Sequence, residues 1–336
     1  MKRYQVLLYD EEAAFVQALM NYVNRNAKIP ILIFAFTNIA DVKEYIREHE
    51  VDLLIMPDVM LGEAICNHLS TPVLWMVEEW ISGELEEDNK IIRYSSASEY
   101  VKKMLLLLSN QNKLFQEGWD CVSIAVYSPI GGKEVSRFAQ LLSSAQLQTE
   151  QNPYKTGIYL PWEEFCEEID PHCRMEELLY HVKQHTGNIS MKMKTLSCST
   201  QGYDTIPNAV DYQELRELTM EDLHWLFQTL KKEGYYHFLI ADIGPGSLPT
   251  LELLAEFDVI YLPYVRDTDS GKKFECFLQN MQQQQYWNAF AERCYPVAVT
   301  MQSLTHERIR LLETKRKAGT VVPLRKGGEG IGGTDL

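Results

Sequence analysis

Positive charge is scarce in this chain. Lys and Arg number 32 against 47 Asp and Glu, for a formal net charge of −15 over 336 residues. A broad nucleic-acid footprint needs clustered cations to neutralise phosphate, so that function class is excluded, although a small basic patch is not. Long apolar runs are also missing. None approaches the roughly 20 residues that span a bilayer, and the densest, Met104 to Leu108, reads as the buried stripe of a helix. The seven Cys are irregularly spaced with no Cys-x-x-Cys, which fits neither a disulfide framework nor a paired zinc site. The first residues run straight into a strand pattern, so no signal peptide is expected. What remains is an ordinary globular composition, 46% hydrophobic and 24% charged, long enough for two cores. A cytoplasmic protein without a transmembrane segment is expected.

Residues 1–108 alternate strand and helix patterns. Apolar strands are expected at Tyr4–Tyr9, Ile29–Phe36, Val51–Met56, Pro72–Val77 and Lys90–Tyr94, with helices over Ala13–Asn24, Asp41–His49 (capped by Asn38) and Ser98–Leu108. Short apolar strands separated by helices imply a parallel sheet covered on both faces. Polar residues 109–120 read as a linker. A second α/β unit spans 121–324, with strands at Val122–Tyr127, Gly157–Leu160, Phe238–Ala241, Val259–Tyr264 and Pro296–Thr300, and a short one at Thr320–Leu324. Helices are expected around Met175–Gln184, Asp211–Leu218 and Glu221–Glu233. The glycine-rich residues 325–336 are expected to be a flexible tail.

The order of the first unit resembles a response-regulator receiver domain. That resemblance implies an acidic pair after the first strand, which binds Mg²⁺, and an Asp phosphoacceptor ending the third. Asp10 and Glu11 keep the pair, but Pro57 stands at the acceptor position and Asp58 falls one residue late. A slip of one residue turns a strand side chain to the other face. Val77 and Arg93 occupy the Thr and Lys positions of the family. Asp10 and Glu11 also read as solvated acids at a helix start, where they favour the dipole. No phosphoacceptor is expected, and the unit reads as a docking module in which Asp10, Glu11 and Asp58 are vestigial.

In the second unit, a strand (Val122–Tyr127) and a helical pattern (Val135–Leu142) flank Ile130-Gly131-Gly132-Lys133-Glu134-Val135-Ser136. Strand–loop–helix is the placement in which backbone N–H groups and a helix N-terminus cradle phosphate. The segment resembles the deviant loop of the ParA/MinD ATPases, Lys-Gly-Gly-x-Gly-Lys-Thr. Ile130 replaces the first Lys, Glu134 a Gly and Val135 the second Lys; Gly131, Gly132 and Ser136 match. The later elements of that family follow in order. Gly157–Phe165 has Pro161 and Glu163 at its two acidic positions. Phe238–Gly246 keeps the strand-end Asp242 and a Gly-Pro-Gly loop ending at Gly246.

A receiver-like domain fused to a degenerate ParA/MinD-like P-loop domain resembles the TadZ/CpaE family of Tad (Flp) pilus assembly. The resemblance implies two doubly wound α/β domains, flavodoxin-like and then P-loop NTPase-like, forming a homodimer that acts as a non-catalytic localisation scaffold. It implies partners among the pilus or secretion ATPase and polar localisation proteins, at the inner face of the membrane or a cell pole. No cofactor is expected. An intact site of this kind takes ATP and Mg²⁺, through the remnant positions Gly131, Gly132, Lys133, Ser136, Asp242 and Gly246, with Glu163 and Asp242 as vestigial catalytic groups. Lys133 lies two positions early for the missing loop lysine. Fixed cations stabilise the γ-phosphate in such sites; Val135 removes one, and Glu134 adds like charge. The alternative is an active ATPase with an atypical loop, cycling between monomer and dimer.

Two other groupings carry less. Cys166, His172, Cys173, His181 and His185 lack zinc-ligand pairing and read as buried thiols and surface histidines. The basic segment His306–Lys317 has a narrow apolar face of Ile309, Leu311 and Leu312 without aromatics. It reads as a helix covering the sheet rather than a membrane anchor, with peripheral membrane contact left open.

Overall fold

The computed structural model describes residues 3–26, 29–60, 71–78, 89–109, 121–147, 155–163, 175–200, 202–207, 212–266, 268–321, 323–324 and 334–336. The chain divides into two compact units, residues 1–118 with 187–195, and residues 119–186 with 196–336. Residues 187–195, read from the sequence as part of the second domain, thus cluster with the first. Residues 110–120 of the expected linker and 325–333 of the expected tail lie outside the described residues.

The first unit runs β1 (Tyr4–Tyr9), α1 (Ala13–Arg25), β2 (Ile31–Phe36), α2 (Ile39–Glu48), β3 (Leu53–Pro57), β4 (Val73–Val77), β5 (Lys90–Ile92) and α3 (Ala97–Ser109). Its sheet is parallel in the order β2-β1-β3-β4-β5. Val6, Leu7, Leu8 and Leu53 to Met56 are fully buried, as a sheet covered on both faces requires. Asn38 caps α2, its side chain accepting from the Ala40 N–H at 2.9 Å. Strand order reverses beside β1, which leaves a crevice at the carboxyl ends of β1 and β3.

The second unit's elements, in chain order, are β6 (Val122–Tyr127), α4 (Lys133–Leu147), β7 (Gly157–Trp162), α5 (Met175–Gln184), α6 (Ile189–Leu196, clustered with the first unit), β8 (Cys198–Thr200), β9 (Tyr203–Thr205), α7 (Met220–Glu233), β10 (Phe238–Ile243), β11 (Val259–Val265), α8 (Thr268–Gln282), α9 (Trp287–Phe290), β12 (Cys294–Val299), α10 (His306–Lys317) and β13 (Thr334–Asp335). The sheet order is β13-β12-β11-β6-β10-β7-β9-β8, with β8 and β9 antiparallel. One face packs on α4, where Val135, Phe138 and Leu142 join Ile124, Val126, Ile240 and Tyr261 in one core. Gly157 faces Phe238 across the ladder, and a Cβ there would run into the Phe238 ring.

Three expectations need correction. Among the described residues 320–324 there is no strand; the Leu324 N–H simply donates to the Cys294 carbonyl at 2.9 Å. The edge is instead closed by Thr334 and Asp335 from the segment expected to fray, which pair with Val297 and Ala298. In α10, Ile309 and Leu312 are buried, but Leu311 is 52% exposed, because positions two apart on a helix face different ways.

Candidate functional site

The strand register builds a cluster in the second unit. β10 lies between β6 and β7, and Asp242 is level with Val126 on one side and Pro161 on the other. The loops after β6, β7 and β10 therefore meet at one sheet edge. There the Ser136 hydroxyl donates to Glu163 Oε1, and the Tyr159 hydroxyl donates to Asp242 Oδ2 at 2.8 Å. Ser136 and Glu163 lie close enough to act on the Asp242 carboxyl. Burial, and then the negative charge of Glu163, pushes the Asp242 carboxyl up to about 8. The Tyr159 hydroxyl is likewise raised by burial and by Asp242.

The phosphate-loop remnant is a real turn. Gly131 and Gly132 take φ of +68° and +115°, left-handed values that side chains disfavour, and the Val135 N–H donates to the Gly132 carbonyl at 3.0 Å. A Cβ on Gly131 would stand 3.3 Å from the Pro245 ring, and one on Gly132 would stand 3.3 Å from Glu134 Oε2. Pro245 thus abuts the loop, and a Glu134 carboxylate oxygen lies beside Gly132. Val135 is buried in the core. Lys133 is exposed at the start of α4. Gly246 lies in a tight turn, where the Ser247 N–H donates to the Gly244 carbonyl at 3.2 Å, and the Gly244 N–H donates to the Trp162 carbonyl at 2.7 Å.

The first unit has its own crevice, a cavity of about 430 Å³ lined by Asp10, Glu11, Pro57, Asp58, Glu78 and Arg93, among others. Asp10 is 1% exposed, so it is not the solvated acid that one reading expected. A guanidinium fork holds it: Arg93 Nε donates to Oδ2 at 2.8 Å and Nη2 to Oδ1 at 2.6 Å. The Glu12 N–H donates to Oδ1 at 2.8 Å. Arg93 Nη1 also reaches Glu78 at 3.8 Å. Glu11 is exposed, Asp58 is half-buried on the short turn after β3, and Pro57 ends that strand. Among the described residues no group of three His, Cys, Asp or Glu could hold a metal ion. Of the Cys/His grouping, residues 166, 172 and 173 lie outside the described residues. His185 contacts Asp222 at 3.0 Å and stacks on Trp225.

Sequence reasoning placed Ser136, Glu163 and Asp242, which the fold brings together, but missed Tyr159. Tyr159 reaches Asp242 through the register of β7 against β10, which no local sequence pattern signals.

The chain is thus an α/β protein with parallel sheets. It is similar to a ParA family ATPase from Chlorobium tepidum, at 12% identity and a TM-score of 0.41, covering 60% of this chain and 82% of that one. It is also similar to a plasmid partition protein from Borrelia burgdorferi (14%, TM-score 0.39, covering 59% and 99%). A third similarity is to cobyrinic acid a,c-diamide synthase from Mycobacterium smegmatis with bound ADP and magnesium (15%, TM-score 0.38, covering 58% and 82%). No family model and no curated protein matches the chain. Among the described residues no helix is long and apolar enough to cross a membrane.

Proposed function

We propose that this chain is a non-catalytic, dimer-forming scaffold of the TadZ/CpaE kind, acting in Tad pilus or related secretion-system assembly. Its second unit is a P-loop fold that no longer grips magnesium triphosphate. The observation that carries this reading is the Ser136–Glu163 hydrogen bond beside a buried Val135. In a working loop of this kind the hydroxyl at Ser136 faces the cation and a lysine at 135 faces the phosphates. Here the hydroxyl is turned to a carboxylate, and the Glu134 carboxylate beside Gly132 puts negative charge where phosphate would sit. Mg²⁺–ATP does not fit these residues.

The first unit is, in this reading, a receiver-like docking module. The Arg93 fork on Asp10 takes up the oxygens that a metal would require, and Pro57 offers no phosphoacceptor. The assembled trio Ser136, Glu163 and Asp242 favours the rival reading, an ATPase cycling between monomer and dimer. Sedimentation with and without Mg²⁺–ATP, run beside calorimetry, separates the two. The scaffold predicts a dimer that ignores nucleotide and no micromolar binding heat. A nucleotide-dependent dimer, or micromolar affinity lost in Asp242→Ala, overturns it in favour of the ATPase.

A further inference from the structure

Residues 334–336 lie on the edge of the second unit's sheet, and three different contacts hold them there. Thr334 and Asp335 register in parallel against Val297 and Ala298, and the Leu336 N–H donates to the Ala298 carbonyl at 3.3 Å. Arg266 Nη1 stands 2.8 Å from Asp335 Oδ1. Arg308 Nη1 donates to the Leu336 carbonyl oxygen at 2.8 Å, and the half-buried Leu336 side chain packs against the second unit's core. Backbone pairing, a charge contact and an apolar seat on successive residues are the means by which a sheet edge recognises an added strand.

We propose that the β12 edge, with Arg266 and Arg308, accepts an extended segment of a partner protein carrying an acidic residue followed by leucine, and that residues 334–336 cover this site in cis.

The connection is longer than its task requires. Leu324 is tied to Cys294 and Thr334 faces Val297, three strand positions apart, or about 10 Å. The nine residues 325–333 can extend to about 30 Å. Residues 334–336 therefore act as a tethered ligand at an effective concentration in the millimolar range. The hold is light, since two register pairs are few and an exposed ion pair adds little. A partner segment with the same pattern, present on a multivalent assembly, can displace it. Two arginines at one edge of a chain with net charge −15 set the sign of the partner's charge.

The test uses the full chain and a fluorescein-labelled Ile-Gly-Gly-Thr-Asp-Leu peptide in polarisation titrations. A double substitution, Asp335→Lys with Leu336→Gly, undocks the chain's own segment. The uncovered variant is expected to bind the peptide about tenfold more tightly than wild type, the factor a cover occupied about nine-tenths of the time imposes. Adding Arg266→Glu abolishes that binding, and a peptide with Lys in place of Asp restores it. In wild type, millimolar peptide accelerates hydrogen exchange at the Leu336 amide. Equal affinities for wild type and the uncovered variant, or no binding by a variant that retains the wild-type melting temperature, overturn the proposal. So does a dimer that disappears with the double substitution, because the segment would then seat on a second copy.

Discussion

The carboxyl of Asp242 is fully buried, and burial together with Glu163 raises its pKa to about 8. The unfolded chain releases the same proton near 3.9. Between those values the folded state binds more protons at this site than the unfolded state, so the contribution of Asp242 to stability is greatest below about 4 and is lost as pH rises through about 8. The denaturant midpoint is expected to be lower at pH 9 than at pH 6. In Asp242→Asn, whose amide is neutral at both, most of that difference disappears. An unchanged pH slope in the variant would place the responsible proton elsewhere. Much of this cluster was legible in the sequence, because Gly131, Gly132, Ser136 and Asp242 stand in local strand–loop contexts. Tyr159 was not, since its bond to Asp242 depends on the register of β7 against β10, which no local pattern encodes. The Asp10–Arg93 fork was hidden for the same reason: its two residues are 83 positions apart.

The apolar strands β1, β3, β6, β10 and β11 were readable because burial on both faces leaves an unbroken run of Val, Ile and Leu. Edge elements give no such run. β8 and β9 are three residues each and β13 two, too short for a pattern. The helix α6 is harder still. Ile189, Met191 and Met193 alternate as a half-buried strand would, yet they lie on a helix and are fully buried. Its start is fixed by Asn188, whose Oδ1 accepts from the Met191 N–H at 3.1 Å while its Nδ2 donates to the Tyr4 hydroxyl at 3.1 Å. Asn188 is 3% exposed, so removing its amide deletes a cap and leaves buried groups short of a partner. Asn188→Ala is expected to cost about 1–2 kcal/mol in urea unfolding. Tyr4→Phe, which keeps the cap, is expected to cost about 1 kcal/mol. If the two variants are indistinguishable from wild type, α6 is not anchored in this way.

Because α6 clusters with the first unit while its flanking segments belong to the second, the chain passes between units at 118/119, 186/187 and 195/196. Two domains joined by one linker melt as independent bodies when few contacts couple them. Here, melting of the first unit strips the partners from a helix most of whose residues are buried. It also frees a segment whose ends are fixed by α5 and β8, converting a pinned crossing into an open loop within the second unit. That loop's closure entropy must then be borne by the second unit alone. Melting of the first unit therefore costs the second unit stability through the chain crossing, and the two are expected to unfold together. Differential scanning calorimetry of the full chain should show one transition whose calorimetric and van't Hoff enthalpies agree. Asn188→Ala should move that single transition downward without splitting it. Two resolved transitions in the wild-type protein, or a split produced by Asn188→Ala, would mean that α6 docks too weakly to couple the units.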